Sequence, residues 1–380
     1  MIRLKFRIPI VTEEPATIEK SPCCETGVYV KEHGQRGVDD VKIGLVKVNR
    51  YTCKRCGRSF TIRPRGVTRS SKSAGVKAAS VALYLLGLSY DAVAIAFWMF
   101  RVKLAKSTVY NYVQAAGQSA SRQNLRAWRG RVRFVGTDTT GWKIKGRGCT
   151  ASWVVDVLTG KTIAVEFVKN EDAETFKRCI QKAVGTDFDL LVTDEAAAYG
   201  AAAQEMGKSH QICQRHFKKA MYQRTKRILF DLPKGYPEAT RIRKDCKRLQ
   251  KAVRRGKQLR MTILLHGKEM FNHYMHAPPP KNGERASPEY RMRLLSTELV
   301  ENGVNLFQYR SFKDKQGKFL LDGTNNASER SIGLTAKIRY RTMRGGKSRR
   351  SARRLFNLQV YIRNHQLDGV NLLDMGALVN

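Results

Sequence analysis

Val132-Arg133-Phe134-Val135-Gly136-Thr137-Asp138 is an apolar, β-branched run closed by an acidic residue. Aspartate is a poor strand former, so sheet propensity does not explain its position. A second such run, Leu190-Leu191-Val192-Thr193, ends at Asp194, and a third acid, Glu329, lies in a segment typical of a helix start. Two carboxylates on strands and one on a helix can converge on a pair of divalent metal ions, which phosphodiester chemistry requires.

Two short motifs accompany these acids. Asn325-Asn326-Ala327-Ser328-Glu329-Arg330 resembles the Asn-Asn-x-x-Glu-Arg box around the third acid in the DDE transposases of bacterial and archaeal insertion sequences. Cys213-Gln214-Arg215-His216 is similar to the Cys-x-x-His box that Mutator-like and several insertion-sequence transposases place between the second and third acids. The resemblance covers most of the chain, and the ordered set is more specific than any one part.

The resemblance implies a ribonuclease-H-like catalytic domain that uses Mg²⁺ or Mn²⁺. It implies that the catalytic residues and metal ligands are Asp138, Asp194 and Glu329. The other motif residues are Cys213, His216, Asn325, Asn326 and Arg330. For the Cys-x-x-His box we expect a structural or DNA-orienting role, because two ligands are too few for structural zinc. A metal half-site and a cysteine that only fills the core are the alternatives.

Each acid also has a non-catalytic explanation. Asp194 could be a helix N-cap, and Asn326 and Glu329 have the spacing of a capping box. Asp138 precedes Thr-Thr-Gly, so it could be a turn residue. The joint occurrence of all three acids in the expected order favours catalysis.

Three nearby acids are rivals for the catalytic positions: Asp156, Glu166 and Glu195. Strand parity and the turn that follows at once argue against Asp156. Glu195 is the nearest rival, because a slip of one residue at the strand end would exchange it with Asp194.

The central block predicts a mixed sheet, in an α/β (α+β) fold, rather than a repeating βα pattern. Three strands come first, a helix follows Asp172, and a fourth and a fifth strand end the block. The predicted strands cover 132–137, 152–157, 162–168, the run ending at Asp194, and a run beginning at Gln211.

Cys53-Lys54-Arg55-Cys56-Gly57 is typical of a zinc knuckle, with two thiols at i and i+3 and a glycine that permits the tight turn. It resembles the second half of a zinc ribbon. The first half departs from the pattern, since Cys23 and Cys24 are adjacent where the family has Cys-Pro-x-Cys. We expect structural Zn²⁺ on Cys23, Cys24, Cys53 and Cys56, with His33 as the alternative to Cys23. A ribbon that has lost its metal is the competing interpretation.

Residues from about 70 to 120 have helical periodicity and predict a helix-turn-helix. Ser107 is expected to cap a short third helix that offers Thr108, Asn111 and Gln114 to base edges. A later basic loop offers Lys347, Arg349 and Arg350 to the DNA backbone. The alternatives are a helical spacer and a solvated loop.

Five segments follow from these patterns. A zinc-ribbon-like domain covers 1–69 and a helix-turn-helix domain covers 70–128. The first part of the catalytic core covers 129–216, an all-helical insertion covers 217–323, and the second part of the core with a C-terminal helix covers 324–380.

The formal charge of +39 over 380 residues indicates a polyanionic partner, for which nucleic acid is the obvious candidate. No apolar run is long enough to cross a membrane, and the first residues lack a signal-peptide core. Eight cysteines without a secretory signal favour a reducing compartment, so we expect a cytoplasmic protein acting on DNA.

The sequence therefore predicts a transposase. Its partners would be double-stranded DNA, as terminal inverted repeats and as target, and it would act as a homodimer or higher oligomer on DNA. A metal-dependent nuclease or resolvase with the same core is one rival. A domesticated, non-catalytic DNA-binding regulator is the other.

Overall fold

The computed structural model describes residues 5–11, 23–24, 30–128, 131–255, 259–337 and 346–379, and the side chain of His33 lies outside this description. The chain divides into two compact units. We call them the front unit, drawn from Met1–Ala127, Trp142–Gly148 and Leu334–Asn380, and the central unit, drawn from Trp128–Gly141 and Cys149–Gly333.

The described strands and helices are numbered here in chain order. The strands are β1 (Lys5–Arg7), β2 (Val30–Asp40), β3 (Gly44–Cys53), β4 (Ser59–Thr61), β5 (Phe134–Ile144), β6 (Arg147–Asp156), β7 (Thr162–Val168), β8 (Leu190–Thr193), β9 (Ser209–Ile212) and β10 (Leu372–Asp374). The helices are α1 (Ala74–Leu85), α2 (Tyr90–Trp98), α3 (Lys106–Trp128), α4 (Ala173–Val184), α5 (Ala197–Glu205), α6 (Gln214–Phe230), α7 (Ala239–Arg255), α8 (Leu259–Met261), α9 (Gly267–Tyr274), α10 (Pro288–Asn302), α11 (Asn326–Ile332), α12 (Arg349–Leu367) and α13 (Gly376–Val379).

The central sheet has the order β7-β6-β5-β8-β9. β6 and β7 are antiparallel, whereas β8 is parallel to both β5 and β9. β5 and β6 are joined by a two-residue turn in which Lys145 and Gly146 have φ of 50° and 79°. Positive φ at both positions is the type I′ geometry, which matches the twist of a hairpin. The mixed α/β sheet predicted from the sequence is confirmed.

The first two strands of this sheet are longer than predicted. β5 was expected to end at Thr137 but continues to Ile144, and β6 begins at Arg147 rather than Ser152. The extension contains Trp142, which is buried and packs edge-on against Phe356 at 4.7 Å between ring centroids. Asp138 is therefore inside a strand, and its interpretation as a turn residue was wrong.

The segment between β9 and α11 is predominantly helical in its described part. Helices α6, α7, α9 and α10 share one apolar core. The segment between α8 and α9 is a π-helical turn, Thr262–His266. None of the described helices is both long and apolar enough to span a bilayer.

In the front unit, β2, β3 and β4 form an antiparallel three-stranded sheet. The helices α1, α2, α3 and α12 share a second core with the β10–α13 segment. α3 and α12 approach closely, because a Cβ on Gly117 would lie 2.4 Å from the carbonyl oxygen of Arg354. β1 pairs in parallel with β10.

Two features of the front unit differ from the sequence-based expectation. The third helix is not short, since α3 has 23 residues. Val109, Val113, Ala116 and Ala120 are buried at helical spacing along it, and no proline interrupts it. The C-terminal helix α12 was assigned to the catalytic core, but its apolar face packs in the core of α1–α3.

Candidate active site

Asp138 and Asp194 are carried by neighbouring strands of the central sheet. β5 and β8 are parallel, with Gly136 opposite Val192; Asp138 lies two residues further along β5, and Asp194 directly follows the last residue of β8. Adjacent strands are about 4.8 Å apart, and residues in register project to the same face. Thr139 N–H donates to Asp138 Oδ1 at 2.8 Å, and Ala196 N–H donates to Asp194 Oδ1 at 3.1 Å.

Glu329 is carried by the short helix α11, which begins at Asn326. Because Asn326 is already the first helical residue, Asn326 and Glu329 do not form the capping box considered above, and Asn325 at the N-cap makes no side-chain capping bond. The Glu329 carboxylate instead faces α6. Its Oε2 lies 3.3 Å from Arg215 Nη1, and its Oε1 lies 3.4 Å from His216 Nε2.

Asn325 ties the three acid-bearing segments together. Its side-chain Nδ2 donates to the carbonyl oxygen of Thr137 at 2.8 Å, one residue before Asp138. Its backbone N–H donates to Cys213 Sγ at 3.2 Å, and the Cys213 N–H donates to the carbonyl oxygen of Thr193 at 2.7 Å. Ser328 Oγ donates to Asn325 Oδ1 at 2.7 Å. The segments of all three acids therefore meet through the Asn-Asn and Cys-x-x-His boxes.

Gly136 makes this approach possible. A Cβ at Gly136 would lie 2.8 Å from both Asn325 Oδ1 and Ser328 Oγ, closer than real Cβ contacts allow. The glycine thus lets the start of α11 press onto β5. A glycine inside a buried strand marks such a backbone approach. Gly136 is thus a residue of the site that was not predicted, although a glycine within a predicted strand was the available signal.

The surroundings of Asp138 oppose its ionisation. Burial raises the pKa of Asp138 to about 6, and the charges of Asp194 and Glu329 add to the rise, while the Thr139 N–H and His216 oppose it. Burial, with Asp194 and Asp138 next, also raises the pKa of Tyr199. Carboxylates crowded in this way favour a bound cation.

The carboxylates of Asp138, Asp194 and Glu329 suit hard divalent metals, because Mg²⁺ and Mn²⁺ prefer carboxylate oxygens. Cys213, His216 and Glu329 each offer one ligand atom within 4.8 Å of the others, whereas the three acids do not form so compact a group.

The rival acids have partners of their own. Glu195 lies 3.4 Å from Arg224, which also pairs with Glu298. Asp156 accepts from the Leu158 N–H at 3.2 Å and from Thr159 Oγ1 at 2.6 Å, so it caps the β6–β7 turn. Glu166 pairs with Lys182 of α4 at 2.8 Å.

Two motif residues take different positions. Asn326 is exposed, and its Oδ1 accepts from Arg215 Nη1 at 3.1 Å. Arg330 is exposed on α11. Arg215 was not singled out from the sequence, although it binds both Asn326 and Glu329. Its place inside the Cys-x-x-His box, where a cation faces the third acid, was the available signal.

The four predicted zinc ligands come together in the front unit. Cys23, Cys24, Cys53 and Cys56 each offer a sulfur within 4.8 Å of the others. The Sγ–Sγ distances are 3.3 Å for Cys23–Cys56 and 3.8 Å for Cys53–Cys24. Four sulfurs at about 2.3 Å from one zinc ion are about 3.8 Å apart, so the cluster fits that ion.

The local backbone supports the thiol cluster. β3 ends at Cys53, the Gly57 N–H donates to the Cys53 carbonyl oxygen at 2.9 Å, and Gly57 has φ of 68°. Burial raises the pKa of Cys24 to about 12, and the neighbouring thiols of Cys53 and Cys56 contribute to this rise. A bound metal would reverse this effect, because thiols ligate as thiolates.

The residues expected to contact DNA differ in their exposure to solvent. Asn111 is exposed and Thr108 is partly exposed on α3. Gln114 is only 5% exposed, and its Nε2 donates to Ser351 Oγ at 3.1 Å, so this position does not fit a role at base edges. Three cations at the start of α12 are exposed. Lys347 precedes the helix, and Arg349 and Arg350 are its first two residues.

No protein-family model matches the chain, and the comparison with curated proteins gives no match either. Among solved structures, the catalytic core domain of BIV integrase matches at 10% sequence identity, over 53% of this chain and 98% of that chain, with a TM-score of 0.18. At this TM-score the similarity supports no conclusion about the chain. What the site can do follows from its own geometry.

Proposed function

We propose that this protein is a DDE transposase that cuts DNA at the ends of its element and joins the freed 3′-hydroxyl to target DNA. The observation that carries the proposal is the linkage through Asn325, which ties the Glu329 segment to Thr137 beside Asp138 and, through Cys213, to Thr193 beside Asp194. The sheet order, with an antiparallel β7-β6 edge and parallel β5, β8 and β9, supports a ribonuclease-H-like core.

The residues have distinct tasks in this proposal. Asp138, Asp194 and Glu329 would hold two Mg²⁺ or Mn²⁺ ions. When bound, these ions supply activation of the attacking oxygen and stabilisation of the leaving oxygen in an in-line displacement at phosphorus. Asp138 would bind a metal as the carboxylate, and a cation beside it would lower the pKa that burial raises. Arg215 holds the Glu329 carboxylate on the α6 side of the site, and His216 Nε2 lies 3.4 Å from its Oε1.

The front unit would recognise the DNA in the same proposal. The four cysteines would bind one structural zinc ion, and Thr108, Asn111 and the cations before α12 would contact the terminal inverted repeats. Because two ends are joined to one target, at least a dimer would assemble on DNA. A reducing, cytoplasmic setting agrees with the free thiols.

The test is a strand-transfer assay with a linear duplex that carries the element end, a supercoiled target and Mg²⁺. Wild-type protein should nick the end and join it, whereas Asp138→Asn, Asp194→Asn and Glu329→Gln should do neither. Glu195→Gln is the matched control and should stay active, because Glu195 pairs with Arg224. Cleavage without joining would identify a nuclease or resolvase instead. Specific binding without cleavage would identify a regulator.

A further inference from the structure

We infer that the three-stranded sheet of the front unit carries a phosphate-binding cleft for duplex DNA, formed by four arginines. The cleft has a volume of about 420 Å³ and is lined by Arg36, Arg50, Arg63 and Arg69, with Ser59, Phe60 and Thr61. None of these residues was expected to bind DNA from the sequence. The assignment of the DNA as the element end rests on the proposed function; the cleft itself rests on its own geometry.

The arginines are brought together by strand register. Arg36 of β2 lies opposite Val48 of β3, and Arg50 lies two residues beyond Val48, opposite Thr61 of β4. Because side chains alternate along a strand, these residues share one face of the sheet. The same face is apolar at its other end, where Val38, Val46 and Val48 are buried.

Arg36 fixes the remaining wall of the cleft. Its guanidinium donates to the carbonyl oxygens of Thr68 at 3.0 Å and Ser70 at 3.2 Å, and also to that of Arg69. These bonds hold the segment after β4 against the sheet, which places Arg69 beside the cleft. Arg36 is therefore a structural member of the group, whereas Arg50, Arg63 and Arg69 are exposed.

The charge of the cleft is uncompensated within the described part of the chain. None of the described lining residues is acidic, and no described carboxylate lies within 4.0 Å of Arg50, Arg63 or Arg69. Burial lowers the pKa of Arg36, and the charges of Arg63 and Arg50 lower it further. Four like charges gathered in this way repel one another until an anion binds.

Phosphate is the anion that suits this arrangement. The planar guanidinium matches two phosphate oxygens at once, and the hydroxyls of Ser59 and Thr61 are further donors. Three of the four arginines are exposed, so the cleft opens to solvent and suits a polymer backbone rather than an enclosed small ligand. Contacts of this kind position DNA without reading its sequence.

The experiment measures fluorescence anisotropy of the full-length protein with two labelled duplexes, one with the element end and one of scrambled sequence. Arg50→Ala, Arg63→Ala and Arg69→Ala are compared with wild type between roughly 50 and 200 mM salt. Each substitution should weaken binding of both duplexes by a similar factor. Each should also reduce the slope of log K against log salt by about 0.9, since one phosphate contact is lost.

Lys47→Ala is the matched control. Lys47 is an exposed cation on the same strand as Arg50. It is three residues from Arg50, so its side chain lies on the other face of the sheet, where it pairs with Gly37 of β2. It should leave the slope unchanged. Unchanged slopes in all three arginine variants would overturn the inference, and so would an equal loss in Lys47→Ala, which would indicate a diffuse charge effect. Tighter, equally arginine-dependent binding of an RNA duplex would overturn the DNA assignment.

The outcome is separable from that of the proposed function. Altered slopes in a protein that neither cuts nor joins DNA would uphold the cleft and reject the transposase. Normal strand transfer by all three arginine variants, with unaltered slopes, would uphold the transposase and reject the cleft.

Discussion

The Asp138 carboxyl lies among groups that disfavour its charge, and this gives a testable dependence of stability on pH. Its pKa rises from 3.8 to about 6 on folding, so the folded protein binds the proton more tightly than the unfolded chain does. Stability from this group is complete below about pH 4 and is lost as pH rises through about 6. Without metal, Asp138→Asn should therefore be more stable than wild type at pH 8, by about 1–3 kcal/mol.

Thermal melts in chelator at pH 8 and at pH 4 measure this difference. The two proteins should melt alike at pH 4, where the wild-type carboxyl is protonated. Added Mg²⁺ should raise the melting temperature of wild type more than that of Asp138→Asn, because a ligand that binds only the folded state stabilises it. Glu195→Gln should respond to Mg²⁺ as wild type does. An equal response in Asp138→Asn would contradict the metal assignment.

Asn325 provides a second prediction at this scale. Asn325→Ala removes the bond to the Thr137 carbonyl oxygen and leaves buried groups unpaired, so unfolding should cost about 1–3 kcal/mol less. Because the same bonds place Glu329, Mn²⁺ affinity measured by calorimetry should fall as well. Gln316→Ala is the control, since Gln316 is an exposed amide outside the site. Loss of stability with unchanged Mn²⁺ affinity would separate Asn325 from the site.

The sequence predicted the three acids because each interrupts a local pattern. Asp138 and Asp194 end apolar runs, and Glu329 lies in a recognisable box. The sequence did not show that Arg215 faces Glu329, because that contact joins two helices far apart in the chain. It also left Glu195 open as a rival, and the ion pair with Arg224 that occupies Glu195 becomes visible only once α6 is placed.

At the scale of elements, helices α3 and α12 pack closely at Gly117. Gly117→Ala would place a Cβ 2.4 Å from the Arg354 carbonyl oxygen, a backbone atom that cannot move without its helix. Alanine normally favours a helix over glycine by about 1 kcal/mol, but the overlap should win and lower stability by about 1–3 kcal/mol. Chemical denaturation measures the change. Gly141→Ala, which meets no atom within 4 Å, is the control. A stabilised Gly117→Ala protein would contradict the close approach.

The β2-β3-β4 sheet yields a metal prediction. Protein purified under reducing conditions should contain about one zinc per chain by elemental analysis, with Cys23, Cys24, Cys53 and Cys56 as ligands. Zinc binding should release protons, because burial and neighbouring thiols keep the pKa of Cys24 high without metal. Cys53→Ser should lose the zinc, whereas Cys179→Ser, outside the cluster, should retain it. Metal-free wild-type protein would reject the site.

Element types were more predictable than element ends. The period-two runs and the order of strands and helices gave the mixed sheet, since both are local properties. The end of β5 could not be predicted from the local sequence. The strand continues to Ile144, and Trp142 within this extension packs on Phe356, which is far away in the chain. The length of α3 was underestimated because its later buried positions are small alanines and a glycine, which give a weak hydrophobic signal.

For the molecule as a whole, the front unit is built from separate parts of the chain, and fragments can test whether it needs all of them. The helices α1–α3 share their core with Leu355, Leu358, Tyr361 and Ile362 of α12. A fragment of residues 1–128 would expose that apolar surface, so it should melt at lower temperature and bind a hydrophobic dye. Joining residues 346–379 to the fragment through a flexible linker should restore cooperative melting, followed by circular dichroism. A fragment that melts cooperatively without α12 would contradict the shared core.

The parallel pairing of β1 with β10 also orders events during synthesis. Residues 5–7 leave the ribosome long before residues 372–374, their partners, have been translated. The helical core of the front unit likewise waits for α12. The acids at 138, 194 and 329 are all made before that point. A nascent or prematurely terminated chain that stops before Arg349 thus carries the complete acidic triad but has no closed front core.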